Sequence, residues 1–169
     1  MTDFKRIGLV GRPDHSGVVD SLSRLLAFLK GQDVDIVLDD VTAGLIEDPG
    51  VDECTREELS SRCDLVVVVG GDGSMLNVAK FIASDQVPVI GINRGKLGFL
   101  TDVLPHEIET NIANVLNGSY SVDKRFLLDV VARRGTTEHN LGSALNDVVL
   151  HPGKAAQMIE FELFIDDKF

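Results

Sequence analysis

Residues 64–74 read Asp-Leu-Val-Val-Val-Val-Gly-Gly-Asp-Gly-Ser, and this stretch decides how the chain folds. An apolar run of strand length ends in a loop with three glycines around one carboxylate, Asp72. Apolar residues then recur at helical spacing: Met75, Val78, Ala79 and Ile82. A strand, a glycine-rich turn and a helix N-terminus form an anion-binding arrangement, in which glycines permit close approach and positive φ. Asp72 would repel a phosphate unless a metal ion or a hydroxyl lies between them, which predicts chemistry in addition to binding.

Composition limits the classes of protein. At 169 residues, the chain can form one domain, or one domain and part of a second. The net charge of −11 disfavours nucleic acid and anionic membranes as partners. The sequence contains neither a run of membrane-spanning length nor a signal-peptide pattern. Cys54 and Cys63 lack metal-ligand spacing, so we expect free thiols and a cytoplasmic protein.

Strands and helices alternate in the first part of the chain. Apolar runs predict strands at residues 6–10, 34–38, 65–69 and 87–92. Helical patterns lie between and after them, at residues 18–31, 57–63, from 73 onwards, and from 108 to the Asn117-Gly118 cap. This alternation predicts an α/β fold, a parallel sheet with helices on both faces. We assign residues 1–120 to this α/β domain, which carries the GGDG loop.

The pattern changes after Tyr120. Three strand-like segments follow without a helix between them, at residues 126–132, 143–150 and 158–165. Asp166-Asp167-Lys168 then predicts a hairpin turn, and only Phe169 remains for the return strand. We therefore expect residues 121–169 to be the first strands of an incomplete, truncated all-β domain.

Two common nucleotide signatures do not fit. The third glycine of a dinucleotide-binding fingerprint is missing after Gly73, and the loop from Gly91 to Lys96 is one residue too short for a Walker pattern. Gly70-Gly71-Asp72-Gly73 by itself is equally compatible with a tight turn in which Asp72 caps the helix, a role also open to Ser74. Asn146-Asp147 suits ribose hydroxyls, and an Asx turn explains it equally well.

Three segments together resemble the NAD kinase family. Gly70-Gly71-Asp72-Gly73 is similar to the family's GGDG loop, which diacylglycerol kinases and phosphofructokinases share. Residues 91–102, Gly-Ile-Asn-Arg-Gly-Lys-Leu-Gly-Phe-Leu-Thr-Asp, and residues 145–150, Leu-Asn-Asp-Val-Val-Leu, are more particular to NAD kinases. Asp147 departs from the family's commoner glutamate, and Ser74 from its commoner threonine. The resemblance implies an NAD kinase/diacylglycerol kinase-like fold, in which residues 1–120 form the nucleotide-binding domain and residues 121–169 begin a truncated β-sandwich.

The resemblance also implies an activity and its participants. The γ-phosphate of ATP would pass to the 2′-hydroxyl of the adenosine ribose of NAD, giving NADP. Asp72 would be the proton acceptor and would bind NAD together with Gly73, Asn146 and Asp147. A divalent metal ion, Mg²⁺, would assist ATP, and the full-length protein would be a cytoplasmic homo-oligomer. The sequence leaves the metal's ligands unknown.

Two other functions stay open on the sequence. A lipid kinase could share the GGDG loop, although residues 91–102 and 145–150 disfavour it. A non-catalytic nucleotide-binding or assembly fragment is the other alternative, because most of the family's second domain is missing. For that reason we expect this chain by itself to have little or no kinase activity.

Overall fold

A computed structural model describes residues 4–13, 15, 17–95, 98–153 and 158–169. It divides the chain into two compact units, one running to Phe126 and one from Leu127 to Phe169. The first unit contains these strands and helices in chain order: β1 (Arg6–Gly11), α1 (Val18–Leu29), β2 (Asp35–Asp39), α2 (Asp40–Ala43), β3 (Asp52–Cys54), α3 (Leu59–Arg62), β4 (Leu65–Gly70), α4 (Asp72–Ile82), β5 (Val89–Asn93) and α5 (Ile108–Leu116). Short 3₁₀ turns at Arg56–Glu58, Ala83–Asp85 and Pro105–Glu107 connect some of them.

The five strands of the first unit form one parallel sheet in the order β3-β2-β1-β4-β5. From β1 the chain adds β2 and then β3 on one side of the sheet. It then returns to the other side of β1, where it adds β4 and then β5. The order therefore reverses between β1 and β4, and in open α/β sheets ligands bind beside the carboxyl ends of the strands at such a point. The predicted fold class is confirmed.

Each face of the sheet is covered by its own apolar core. Alternate residues of β4 explain the arrangement, because neighbouring side chains on a strand point to opposite faces. Leu65, Val67 and Val69 pack with α1 and α5, whereas Val66 and Val68 pack with α3 and α4. The residues of β4 from Val66 to Val69 have no exposed surface, so the strand reads as a continuous apolar run.

Two short elements of this unit carry no strong sequence signal. β3 contains only Asp52, Glu53 and Cys54, two of which are exposed and charged. The helix α2 is a single turn that begins because the Asp39 carboxylate accepts a hydrogen bond from the Thr42 N–H at 3.1 Å. Both depend on the neighbouring strand β2 rather than on periodicity, which is why the apolar pattern does not reveal them.

The second unit contains one antiparallel hairpin, β6 (Leu128–Arg134) and β7 (Thr137–Ala144). Gly135 has a φ of +59°, and its two-residue turn with Thr136 places Arg134 opposite Thr137. The sequence prediction missed this turn and was wrong in placing a strand at residues 143–150. Residues 158–165 were also predicted as a strand, but the structure shows only an isolated bridge between Ile165 and Lys168 around the expected turn.

Candidate active site

The GGDG loop joins β4 to α4 beside the reversal of strand order. Gly71 is the residue before the helix, with φ −117° and ψ −171°, and the helix begins at Asp72. Neither Gly71 nor Gly73 has a positive φ, and a methyl group on either would have no neighbour within 4 Å. The two glycines therefore leave open space at the helix N-terminus, which permits close approach of a ligand without a positive φ.

The carboxylate of Asp72 is held by a second loop, which follows β5. Asp72 Oδ2 accepts a hydrogen bond from the Phe99 N–H at 2.8 Å. Asp72 Oδ1 accepts bonds from the Leu100 N–H at 3.1 Å and from Thr101 Oγ1 at 3.4 Å. A carboxylate oxygen can accept about two hydrogen bonds. Oδ2 therefore keeps an acceptor position that a substrate hydroxyl could use.

Gly98 makes this arrangement possible. A methyl group at Gly98 would lie 2.2 Å from Asp72 Oδ1 and 2.5 Å from Oδ2. Those separations are far below van der Waals contact, so a side chain at this position would displace the carboxylate. The absence of a side chain at Gly98 in the second loop therefore allows the Asp72 carboxylate to lie where it does. Lys96 and Leu97, which belong to the same sequence motif, lie outside the described residues.

The second loop is itself fixed to the sheet at its two ends. The Asn93 side-chain oxygen accepts a hydrogen bond from the Gly95 N–H at 2.8 Å, and the Asn93 N–H donates to the Val103 carbonyl at 2.8 Å. Thr101 is buried, and a methyl group at Gly91 would lie 2.6 Å from its Cγ2. The loop is therefore anchored on both sides of the residues that contact Asp72.

Arg94 joins this loop to the one that precedes α1. Its Nε donates to the Gly17 carbonyl at 2.6 Å, a second nitrogen contacts the same oxygen, and the guanidinium lies 3.3 Å from Asp20. Gly17 has a φ of +77°, which favours glycine. Only 18% of the Arg94 side chain is exposed. The Arg94 side chain therefore connects these two loops.

The comparisons with known proteins decide the family. The model of the ATP-NAD kinase N-terminal domain matches residues 7–120. The chain belongs to the NAD kinase family. It is 50% identical over all 169 residues to the NAD kinase of Pseudomonas aeruginosa and 51% identical to that of Azotobacter vinelandii. In both cases it spans 57% of the relative's length.

The fold of this family member has a solved counterpart. The crystal structure of yeast NADH kinase complexed with NADH superimposes with a TM-score of 0.72 at 19% sequence identity. That match covers 84% of this chain and 47% of the yeast chain. At this identity the likeness concerns the fold.

The other two predicted site residues of this NAD kinase family member lie in the second unit. Asn146 and Asp147 follow β7, and both are exposed. The Asn146 Nδ2 donates to Asp147 Oδ2 at 2.8 Å. Their side chains thus form a joined amide and carboxylate pair with hydrogen-bonding capacity left for a ligand. The structure brings Asp72 together with Gly98–Thr101, and it describes Asn146 and Asp147 only within their own unit.

The interpretation of Ser74 as a helix cap was wrong. It lies in the first turn of α4, and no side chain caps that helix. Its Oγ is buried and has no hydrogen-bond partner among the described residues. A methyl group at Gly70 would lie 2.3 Å from this oxygen, so Gly70 creates the space that Ser74 occupies.

Sequence reasoning missed two arginines near the GGDG loop. Arg12 follows β1 directly, and Arg56 follows β3. Together with Gly73, Ser74 and Asn77 they line a cleft at the N-terminus of α4. A basic residue two positions after the first predicted parallel strand was the available signal for Arg12, since ligands bind at the carboxyl ends of such strands. Nothing local in the sequence marks Arg56.

The described residues contain neither a cluster of metal ligands nor a membrane-spanning helix. Within residues 4–13, 15, 17–95, 98–153 and 158–169, no three His, Cys, Asp or Glu side chains come together as metal ligands. In the same ranges, no helix has the length and apolar character needed to cross a bilayer. The donor set of the described residues therefore does not fit a metal ion held by the protein alone.

Proposed function

We propose that this chain provides the catalytic part of an NAD kinase, in which Asp72 is the proton acceptor. The observation that carries the proposal is the position of the Asp72 carboxylate, which three donors of the second loop hold beside the GGDG loop. The acceptor position that remains on Oδ2 can accept a hydrogen bond from a substrate hydroxyl group. The family membership supports ATP as the phosphoryl donor and NAD as the acceptor.

In the proposed reaction, the 2′-oxygen of the adenosine ribose of NAD attacks the γ-phosphorus of ATP. The new O–P bond forms as the bond between the γ-phosphorus and the β,γ-bridging oxygen breaks, and ADP leaves with that electron pair. Asp72 Oδ2 takes the hydroxyl proton. Phosphoryl transfer requires mainly positioning and neutralisation of charge, and a general base contributes roughly 10²–10⁴-fold.

The other residues of the proposed site bind the dinucleotide. The open space at Gly73 allows NAD to approach the helix N-terminus closely. Asn146 and Asp147 would hydrogen-bond to NAD through their exposed amide and carboxylate. The proposal includes Mg²⁺, which proteins usually bind through substrate phosphates with one or two carboxylates, so the ion would arrive with ATP. We also propose that the full-length protein is cytoplasmic and forms a homo-oligomer.

The chain spans 57% of its relatives' length, so the activity is tested in the complete product of the gene that encodes it. ATP labelled at the γ-phosphate is incubated with NAD or with diacylglycerol, and label transfer is measured. We expect NADP as the labelled product. Labelled lipid would identify a lipid kinase, and binding of NAD without transfer to either acceptor would identify a non-catalytic nucleotide-binding protein.

A pair of substitutions tests the role of Asp72. Asp72→Asn should lower kcat by roughly 10²–10⁴-fold, because the amide cannot accept the proton as the carboxylate does. Asp85→Asn is the matched control, since Asp85 is exposed in the 3₁₀ turn that follows α4 and its substitution should have no effect. Near-normal turnover of Asp72→Asn in a folded protein would exclude Asp72 as the base.

A further inference from the structure

Arg94 lies at a junction between three segments of the first unit. It is the first residue after β5, where the second loop begins. Its backbone N–H donates to the carbonyl of Gly70, the first glycine of the GGDG loop, at 2.8 Å. Its guanidinium contacts the Gly17 carbonyl and Asp20 at the start of α1. One residue therefore connects the second loop both to the GGDG loop and to the start of α1.

The guanidinium is poorly placed to stabilise α1 itself. The N-terminus of a helix carries partial positive charge, so it favours anions and disfavours a cation. The Gly17 carbonyl already accepts the first helical hydrogen bond, from the Ser21 N–H at 3.1 Å. Asp20 offsets part of the repulsion, but 68% of its side chain is exposed, and ion pairs in contact with water contribute little. The local stability of α1 therefore does not explain a cation at this end.

The part of the second loop that contacts Asp72 depends on anchors at its ends. Two of the four residues between Arg94 and Phe99 are glycines, which restrict the backbone least. The N–H groups that hold the carboxylate come directly afterwards, from Phe99 and Leu100. Buried Thr101 fixes the loop on one side of them. On the other side, the Arg94 side chain fixes it to the start of α1.

We propose that Arg94 is a positioning residue for Asp72, which acts by fastening the second loop to the start of α1. This rests on the proposed function, in which Asp72 is the proton acceptor. The guanidinium donates to the Gly17 carbonyl, so its effect reaches the carboxylate only through the loop backbone. A misplacement of about 1 Å can lower a rate roughly 10²-fold, so loss of the anchor should reduce kcat.

Amide hydrogen exchange in the 169-residue chain tests this anchor independently of activity. Arg94→Met keeps a long side chain but removes every donor of the guanidinium. Exchange at Phe99 and Leu100 should become faster by roughly tenfold or more, because the loop opens at a lower free-energy cost. Exchange at Leu65–Gly70 reports the stability of the whole unit and should change much less.

Arg24→Met is the matched control. Arg24 is a residue of α1 that donates to the Pro105 carbonyl at 2.8 Å and pairs with Glu109 at 2.7 Å. Its substitution therefore also removes a carbonyl contact and an ion pair that involve α1, but neither belongs to the second loop. Exchange at the two loop amides should stay as in the unaltered chain. Equal exchange at these amides in Arg24→Met and Arg94→Met would exclude the anchor.

A second variant breaks the same contact from the side of α1 and gives a test even if Arg94→Met does not fold. A methyl group on Gly17 would overlap the Arg94 guanidinium, so Gly17→Ala should also speed exchange at the loop amides. Gly118→Ala is its control, because Gly118 has a φ of +78°, close to the +77° of Gly17, and open space around it. Both substitutions strain the backbone, whereas only Gly17→Ala displaces the arginine. Equal exchange in these two variants would contradict the proposal.

Kinetics of the complete gene product test the effect on the reaction. Arg94→Met should lower kcat roughly 10- to 100-fold, with a smaller change in the KM of either substrate, because the base is misplaced. In a protein that already carries Asp72→Asn, the same substitution should lower kcat by no more than about twofold further, because both changes act through one carboxylate. A full further loss in the double variant would show that Arg94 does not act through Asp72.

The outcomes separate this inference from the proposed function. If Asp72→Asn keeps near-normal turnover while Arg94→Met speeds exchange at Phe99 and Leu100, the proposed base fails and the anchor stands. If NADP forms and Asp72→Asn is inactive, but Arg94→Met matches Arg24→Met in exchange and in kcat, the positioning role of Arg94 fails alone.

Discussion

The backbone of Gly98 lies so close to Asp72 that a methyl group on Gly98 would be 2.2 Å from Asp72 Oδ1. The two residues are far apart in the sequence, and the loop after β5 brings them together. Because backbone N–H groups of Phe99 and Leu100 hold the carboxylate, its position depends on how closely this loop can approach. Gly98 is therefore a positioning residue for the proposed base.

We predict that Gly98→Ala lowers kcat of the complete gene product by at least tenfold without unfolding it. The added methyl group must displace either the Asp72 carboxylate or the loop, so the base leaves its proposed position. Gly95→Ala is the matched control, because a methyl group there would have no neighbour closer than 3.8 Å. Steady-state kinetics and thermal unfolding check the prediction, and equal kcat values for the two variants would contradict it.

The sequence predicted the core of the first unit well for a physical reason. β4 is buried on both faces, so its apolar run is continuous, and α1 and α4 show helical spacing of their buried residues. The contact between Asp72 and the second loop could not be derived this way. It depends on β5 lying beside β4, and the pattern of residues along one strand does not specify its neighbour in the sheet.

The same limit explains why the cleft was missed. Arg12 and Arg56 line the same cleft only because β1, β2 and β3 are neighbours in the sheet order. In the second unit the apolar residues of 148–150 predicted a strand, yet these side chains are exposed and the three residues lie outside the β6–β7 hairpin. Apolar content predicts a strand only where a partner strand is within reach.

A second prediction separates stability from binding at Gly73. A methyl group there has open space, and Gly73 lies in the first turn of a helix, where alanine is preferred. Gly73→Ala should leave the chain as stable or raise its free energy of unfolding by up to about 1 kcal/mol. The KM for NAD should nevertheless rise, because the added methyl group would occupy the space through which NAD is proposed to approach the helix. Urea unfolding and kinetics measure the two effects, and an unchanged KM would remove Gly73 from the site.

A third prediction concerns Asn146. Loss of a hydrogen-bonding partner to a bound hydroxyl costs about 1–3 kcal/mol, so Asn146→Ala should raise the KM for NAD roughly 5- to 150-fold. The KM for ATP should change much less. Asn114→Ala, at an exposed position of α5, is the matched control. Equal effects on the two substrates would leave Asn146 with a structural role only.

A fourth prediction concerns the thiol of Cys63, which is free and buried. Burial raises the pKa of Cys63 from 9.0 to about 12, and the nearby Cys54 adds to the rise. The unfolded thiol ionises first, so the free energy of unfolding should fall as the pH rises from 9 towards 12 and should not depend on this group below pH 9. Cys63→Ala should lose that part of the pH dependence in urea unfolding. In the unaltered chain, the Cys63 thiol should also resist a disulfide reagent at pH 8 until denaturant is added. Immediate reaction would instead show an accessible thiolate.

The last prediction compares the protection of the two units. Val66–Val69 of β4 have no exposed surface and pair with strands on both sides, whereas nearly all residues of β6 and β7 are exposed. An isolated two-stranded hairpin is only marginally stable in water. Amide hydrogen exchange should therefore be slow at Leu65–Gly70 and fast at Leu128–Ala144 in the 169-residue chain, because local opening of the hairpin costs little free energy. In the complete gene product the hairpin amides should become protected if further strands cover its apolar side chains. Equally slow exchange of both segments in a monomer of this chain would show that the second unit is stable without them.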